Sequence, residues 1–198
     1  MKMYSYMVVH DTGLAPNPFH GVLTLALCTP NHQRIKAEPG DWIVGNAAKA
    51  CGPKLVYVMQ VGEKLGLNDY FHDPRFAMKK PRYTGNWKDW SLGVGDNFYF
   101  RGKDDQWHQV ETKFHCDDDD IFRKDTHGDT VFVADDFYYF GDALPVVPAP
   151  HRGVLRLTQG CKTVETETAE KFLDWLRATY EPGVHGKPSH WKDAAQKI

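Results

Sequence analysis

LVYVMQV, residues 55–61, is the clearest strand in the sequence. Apolar side chains fill it, several of them β-branched or aromatic, and such side chains favour a strand buried within a sheet. Similar apolar runs precede it at Met3 to Val9 and at Gly21 to Cys28, and a turn at Pro39 to Asp41 leads into a further run, Trp42 to Gly45. We therefore predict four strands in the first third of the chain, of which Gly21 to Cys28 is buried on both faces, with Cys28 as a core thiol.

Downstream of this stretch the pattern is one of short strands followed by a helix. Glu167 and Glu170 suit the start of a helix at Thr166, its predicted N-cap, and Pro182 with Gly183 ends it. Many short strands with one firm helix predict an α+β fold: a β-rich curled sheet or partly closed small barrel with a C-terminal amphipathic helix. The short runs predicted as strands are Asn97 to Phe100, Trp107 to Val110, Thr130 to Val133, Phe137 to Phe140 and Val154 to Leu157. The apolar stripe of the helix comprises Ala169, Phe172, Leu173, Leu176 and Tyr180.

The length of 198 residues suits a single domain over residues 1–198. Residues 62–95 are rich in aromatic and charged side chains and follow no sustained period, which predicts an inserted loop or flap. Residues 183–198 form a predicted C-terminal tail.

Composition narrows the classes of function. A net charge of −2 gives no overall positive field, so contact with nucleic acid must be local or the ligand must be small. The cysteines are scattered without a CxxC pair, which predicts reduced thiols in a cytoplasmic protein without a zinc knuckle. No apolar run is long enough to cross a membrane. Signatures of hydrolases, P-loops and Rossmann folds are lacking, and we expect no cofactor.

The sharpest polar cluster follows the first predicted strand, in the sequence HDTGLAPNPFH, residues 10–20. In an enzyme Asp11 would act as the general base, Asn17 would position the reacting group, and His20 or His10 would assist. Prolines on both sides of Asn17 fix the backbone and preorganise it. The alternative is that Asp11 and Asn17 only satisfy backbone groups within a tight turn.

Residues 69–82 form the one locally basic window, with aromatic side chains between the cations. This composition suits contact with phosphate and stacking on bases, and we predict that Arg75, Lys79 and Lys80 hold a phosphate. Trp42 and Tyr57 are the predicted stacking residues, and His10 is a predicted ligand contact. The alternative is a surface loop with solvated charges.

The acidic run HCDDDD, residues 115–120, offers oxygen ligands for a divalent ion. It lacks the spacing and the glycine of a calcium loop, so a solvated acidic loop is the preferred interpretation. The remaining histidines show neither an HxH nor an HExxH pattern, and no metal site is predicted.

The segment HDTGLAPNPFHG, the run LTLALCTP and the turn GDWIVG resemble the nucleotide modification associated domains of phages and bacteria. That family carries a D-x-G-x-A-P-N-P segment before an L-T-L-A-x-C-x-P strand and a G-D-W turn. The resemblance covers most of the chain, most specifically residues 6–81, and implies a link to modified nucleotides or modified DNA without a settled activity. The matching residues are Asp11, Gly13, Ala15, Pro16, Asn17, Pro18, Leu23, Thr24, Leu25, Ala26, Cys28, Pro30, Gly40, Asp41 and Trp42.

A looser architectural similarity links the Gly40-Asp41 turn and its strands to the PUA-like group, which includes domains that bind flipped or modified bases.

Three hypotheses follow from the sequence. The favoured one is a module that binds a modified nucleotide or base between the Asp11–Pro18 turn and residues 70–82, with nucleic acid carrying modified bases as the partner. The second is an enzyme that transfers a group to a modified base or cleaves one. The third is a structural protein that docks on another chain. The sequence does not decide the oligomeric state.

Overall fold

The computed structural model describes residues 1–27, 35–116 and 118–197. The predicted core position of Cys28 and the end of its strand lie outside these residues, as does one aspartate of the acidic run, Asp117. No helix in the described ranges is long and apolar enough to span a membrane.

The strands are short and fall close to the predicted runs. In chain order, the described residues form β1 (Met3–Val8), β2 (Leu23–Leu25), β3 (Trp42–Ala47), β4 (Leu55–Gln60), β5 (Glu63–Leu65), β6 (Tyr99–Arg101), β7 (Trp107–Gln109), β8 (Val131–Ala134), β9 (Phe137–Tyr139), β10 (Cys161–Val164) and β11 (Gly183–Val184).

The α-helices and 3-10 helices lie between and after these strands. The α-helices are α1 (Leu67–His72), α2 (Trp90–Gly93), α3 (Asp119–Gly128), α4 (Thr166–Thr179) and α5 (Trp191–Ala195). The 3-10 helices span Lys49–Cys51, Pro74–Lys79, Trp87–Asp89, Gly141–Ala143 and Ala149–Val154.

A six-stranded sheet in the order β10-β1-β3-β4-β9-β11 forms the centre of the fold. The pairs β1–β3 and β9–β11 are parallel, and the other pairs of this sheet are antiparallel. A three-stranded antiparallel sheet, β2-β8-β5, and the β6-β7 hairpin complete the sheet structure of the described residues. The predicted α+β class is confirmed, and the sheets are not closed.

Two hydrophobic clusters contain residues of the central sheet, and a third lies beyond the small sheet. Helix α4 packs its buried residues with Trp42, Val44 and Val58 of the central sheet, which confirms the predicted C-terminal amphipathic helix. Residues of β2 and β8 join a second cluster with the central strands. Because neighbouring side chains of β8 point to opposite faces, Val131 and Val133 instead pack with residues of α1, β6 and α5.

Several sequence predictions need correction in detail. Glu165, not Thr166, caps α4, since its carboxylate accepts from the N–H groups of Glu167 and Thr168. The predicted strand Val154 to Leu157 is wrong, because Val154 ends a 3-10 helix. The acidic run is not a solvated loop throughout, since Asp118 caps α3 through the N–H groups of residues 120 and 121. Residues 62–95 contain β5, α1, two 3-10 helices and α2.

Candidate functional site

The Asp11 carboxylate ties the turn after β1 to two distant parts of the chain. The Tyr139 hydroxyl donates to both carboxylate oxygens at 2.8 and 2.9 Å. Backbone N–H groups of Gly13 and Ser189 donate to one oxygen each, at 3.2 Å. The backbone N–H of Asp11 donates to His190 Nδ1, and the carbonyl of Asp11 accepts from the backbone N–H of His190. Asp11 thus has the contacts of a structural residue that joins the turn to the C-terminal segment.

Burial raises the pKa of Asp11, while hydrogen bonds from Tyr139, Ser189 and Gly13 act in the opposite direction. Burial and the nearby Asp11 carboxylate also raise the pKa of Tyr139, so its hydroxyl keeps its proton and donates. This environment favours a fixed hydrogen-bonded group over a base with access to a ligand.

Asn17 and Lys79 form a buried polar contact. The Lys79 ammonium donates to the carbonyl oxygen and the side-chain oxygen of Asn17, both at 2.9 Å, and to the carbonyl of Val22 at 2.8 Å. The amide nitrogen of Asn17 donates to the carbonyl of Val94 at 2.9 Å. Asn17 is 1 % exposed and Lys79 is 1 % exposed, so both side chains are used within the protein. We therefore assign Lys79 to the packing of residues 74–79 against the turn rather than to a phosphate.

The same cluster continues through hydroxyl groups to a second buried charge. Thr24 donates to Asp96 at 2.6 Å, and the Tyr70 hydroxyl donates to the other oxygen of that carboxylate at 2.8 Å. Burial raises the pKa of Asp96, and the nearby Lys79 charge acts against that rise. Burial lowers the pKa of Lys79 to about 8.

The lowered pKa of Lys79 predicts a stability that depends on pH. Between about pH 8 and 10.5 the unfolded chain holds a proton that the folded chain has lost, so stability rises with pH through this window and is lost as pH falls toward 8. The fall from 10.5 to about 8 corresponds to about 3 kcal/mol. Urea unfolding is expected to show a larger rise in the free energy of unfolding from pH 8 to pH 10.5 in the unaltered protein than in Lys79→Met. An equal change in both proteins would contradict it.

The two predicted stacking residues lie in the core. Trp42 and Tyr57 are each 0 % exposed, on β3 and β4. The Tyr57 ring lies against Gly45, where any side chain would collide with it, and its hydroxyl is 2.7 Å from that of Tyr6. Neither ring presents a face to a ligand, so we assign both to the sheet core.

His20 and Arg75 share a concavity of about 520 Å³ with Glu63 and Asp135. The Arg75 guanidinium makes two hydrogen bonds of 3.0 Å to Glu63 and is also 2.6 Å from Asp73. These carboxylates neutralise the cation that a phosphate would need. Burial, followed by the charges of Lys79 and Arg82, lowers the pKa of His20. Lys80, the third predicted phosphate contact, lies with its ammonium 3.6 Å from the centroid of the Phe71 ring.

A second cavity, of about 210 Å³, opens beside the turn itself, and we call it the turn cavity. It combines apolar walls with a few titratable groups, which is the usual composition of a small-molecule site. Four parts of the chain meet there. Its lining residues are His10, Thr12, Leu14 and Ala15 of the turn, Leu27, Phe114 and His115, and Asp193 and Lys197 near the C-terminus.

His10 is the one predicted site residue that lines this cavity. Its ring lies 4.3 Å from that of His190, and its Nε2 is 3.8 Å from the Asp193 carboxylate. The Lys197 ammonium lies 5.2 Å from the centroid of the Phe114 ring. The cavity thus presents a cation, a carboxylate and an aromatic side chain together.

Sequence reasoning did not single out the pair His115 and Asp125, which meet at the wall of the turn cavity. His115 Nδ1 is 2.7 Å from a carboxylate oxygen of Asp125, to which the Tyr99 hydroxyl also donates at 3.0 Å. The sequence feature that could have indicated this pair is the position of Asp125 in an amphipathic helix, α3, whose buried face contains it. That helix was missed because the acidic run before it was interpreted as a loop.

The fold and the site together describe an α+β protein with open sheets, in which a small cavity with polar and apolar walls lies beside the turn after β1. The chain belongs to the family described as nucleotide modification associated domain 2, whose family model matches residues 1–195. The resemblance inferred from the sequence is therefore confirmed. Comparisons with curated proteins and with solved structures find no match.

Proposed function

We propose that this chain binds the base of a modified nucleotide, free or within DNA, in the turn cavity. The observation that carries the proposal is the meeting of the HDTGLA turn with Phe114, His115 and the C-terminal segment around one concavity. The family association with nucleotide modification supports the class of ligand.

The size of the turn cavity limits what it accepts. Its volume of about 210 Å³ lies below the roughly 300 to 1,000 Å³ typical of pockets for drug-sized ligands. A base or nucleoside is the matching size, and the phosphate would then lie at the mouth. Lys197 is exposed there, and its ammonium is the cation that we assign to the phosphate, in place of Arg75, Lys79 and Lys80.

Replacing Lys197 is expected to weaken nucleotide binding selectively. A cation at an exposed mouth contributes modestly, so Lys197→Ala should weaken binding of a nucleoside monophosphate about three- to tenfold and leave the nucleoside nearly unchanged. Lys192→Ala is the matched control, because Lys192 lies against Trp191 and does not line the cavity. Calorimetry with 5-hydroxymethyl-2′-deoxycytidine and its 5′-monophosphate measures both. Equal losses in the two variants would contradict the assignment.

Catalysis on the bound base is the second candidate, favoured by the His115–Asp125 pair at the cavity wall. In this scheme His115, not Asp11, is the general base, since Asp11 is held by Tyr139 and two backbone donors. Mass spectrometry of the same nucleotides, and of DNA containing them, after incubation with the protein distinguishes turnover from binding alone.

A further inference from the structure

The pair His115 and Asp125 is built to hold one ring in one orientation. Asp125 lies in α3 with its side chain 2 % exposed, whereas the His115 side chain is 28 % exposed. Tyr99 donates to the same oxygen that faces His115 Nδ1, so the carboxylate is itself positioned. The imidazole therefore has a buried side, toward Asp125, and an accessible side.

The backbone also fixes this histidine. His115 has φ of +53°, a left-handed conformation that residues other than glycine adopt rarely. Its carbonyl accepts from the Gln109 side chain at 3.2 Å, and the Phe98 ring meets the imidazole edge to face at 6.4 Å between centroids. Both the main chain and the ring are thus constrained by neighbours.

This arrangement determines which ring nitrogen carries the proton. An ionised carboxylate only accepts hydrogen bonds, so contact with Asp125 places the proton of a neutral imidazole on Nδ1. The other nitrogen, Nε2, is then an acceptor. Among the described residues it has no hydrogen-bond partner, and His115 lines the turn cavity.

We propose, building on the proposed function, that His115 selects among bases by accepting a hydrogen bond from the ligand through Nε2. The ligand class is a base that presents an N–H or O–H donor, such as an exocyclic amino group or a hydroxymethyl substituent. An analogue whose donor is methylated leaves Nε2 without a partner in a partly buried site, and a site built around one hydrogen bond discriminates strongly against such an analogue.

His10 does not serve the same purpose. It is exposed, and its nearest carboxylate, Asp193, is exposed as well and lies 3.8 Å away. An exposed pair at this distance fixes neither the tautomer nor the ring orientation. Selection by donor is therefore assigned to His115, which Asp125 positions.

The tautomer is tested first, on the full chain without ligand. In the neutral form of the ring, long-range proton–nitrogen NMR is expected to show the His115 proton on Nδ1. In Asp125→Asn the side-chain amide can donate to Nδ1, and the tautomer is expected to change. Asp119→Asn, at an exposed position of the same helix, is the control and should leave the spectrum as it was. A proton on Nε2 in the unaltered protein would overturn the proposal.

Ligand selection is tested with matched nucleosides. We expect 5-hydroxymethyl-2′-deoxycytidine to bind about tenfold more tightly than its analogue dimethylated at N4 and methylated on the hydroxymethyl oxygen, in which neither base substituent keeps a donor. In His115→Asn the difference should fall below about twofold; asparagine is chosen because it tolerates left-handed φ. Equal binding of the two nucleosides to the unaltered protein overturns ligand selection by His115 but leaves the proposed function in place. Binding of neither overturns the proposed function and this inference together.

Discussion

Replacing Asp11 by alanine is expected to lower the free energy of unfolding by about 3 kcal/mol. The change leaves the buried Tyr139 hydroxyl and the N–H groups of Gly13 and Ser189 without their acceptor, and each unsatisfied group costs about 1 to 3 kcal/mol. Burial raises the pKa of Asp11, so removing the charge recovers part of its desolvation cost. The expected loss therefore lies below the sum of the separate bonds. Urea unfolding at pH 7 measures it.

Tyr139→Phe is the matched control for this loss. It removes one donor and leaves the Asp11 carboxylate its two backbone donors, so about 1 to 2 kcal/mol is expected. The double variant should lose less than the sum of the two single variants, because they share a hydrogen bond. A loss below 1 kcal/mol in Asp11→Ala would refute the structural role.

Replacing Lys79 by methionine is expected to lower the free energy of unfolding by about 2 kcal/mol at pH 7, because the lost hydrogen bonds outweigh the recovered desolvation cost of the buried ammonium. The buried ammonium donates to three oxygens of Asn17 and Val22, and its removal leaves all three without this donor. It also removes the Lys79 charge, which opposes the burial-driven rise in the pKa of the Asp96 carboxyl. Chemical unfolding is again the measurement.

Lys80→Met provides the comparison one residue along the chain. Lys80 is only partly buried and contacts the Phe71 ring, so its loss should cost no more than about 1 kcal/mol. The two lysines were predicted to act alike on a phosphate. Equal effects on stability would contradict the different environments described for them.

The features predicted correctly from the sequence depend on local patterns. The runs at residues 3–9, 42–45 and 55–61 are apolar enough to be strands in any context, and β1, β3 and β4 lie there. The stripe that begins at Ala169 likewise specifies the buried face of α4 whatever it packs on. Periodicity is a property of neighbours along the chain, so these elements needed no knowledge of the fold.

The site depends instead on contacts between distant residues. Asp11 and Ser189 are 178 positions apart, and Asn17 and Lys79 are 62 apart. Composition singled out the HDTG turn and the basic window, but it does not distinguish a lysine that is buried in the fold from one that is exposed. Trp42 and Tyr57 show the same limit, because an aromatic ring suits a core and a ligand equally. The contact between His115 and Asp125 was not predicted because Asp125 lies in α3, and the acidic run at the start of that helix was interpreted as a loop.

We expect the turn cavity, and not the concavity of His20 and Arg75, to receive the base. NMR chemical-shift mapping of the full chain, titrated with 5-hydroxymethyl-2′-deoxycytidine 5′-monophosphate, tests it most directly. The largest chemical-shift changes are expected at Thr12, Leu14 and His115. Changes centred on His20 and Arg75, or no saturable change at all, would contradict it.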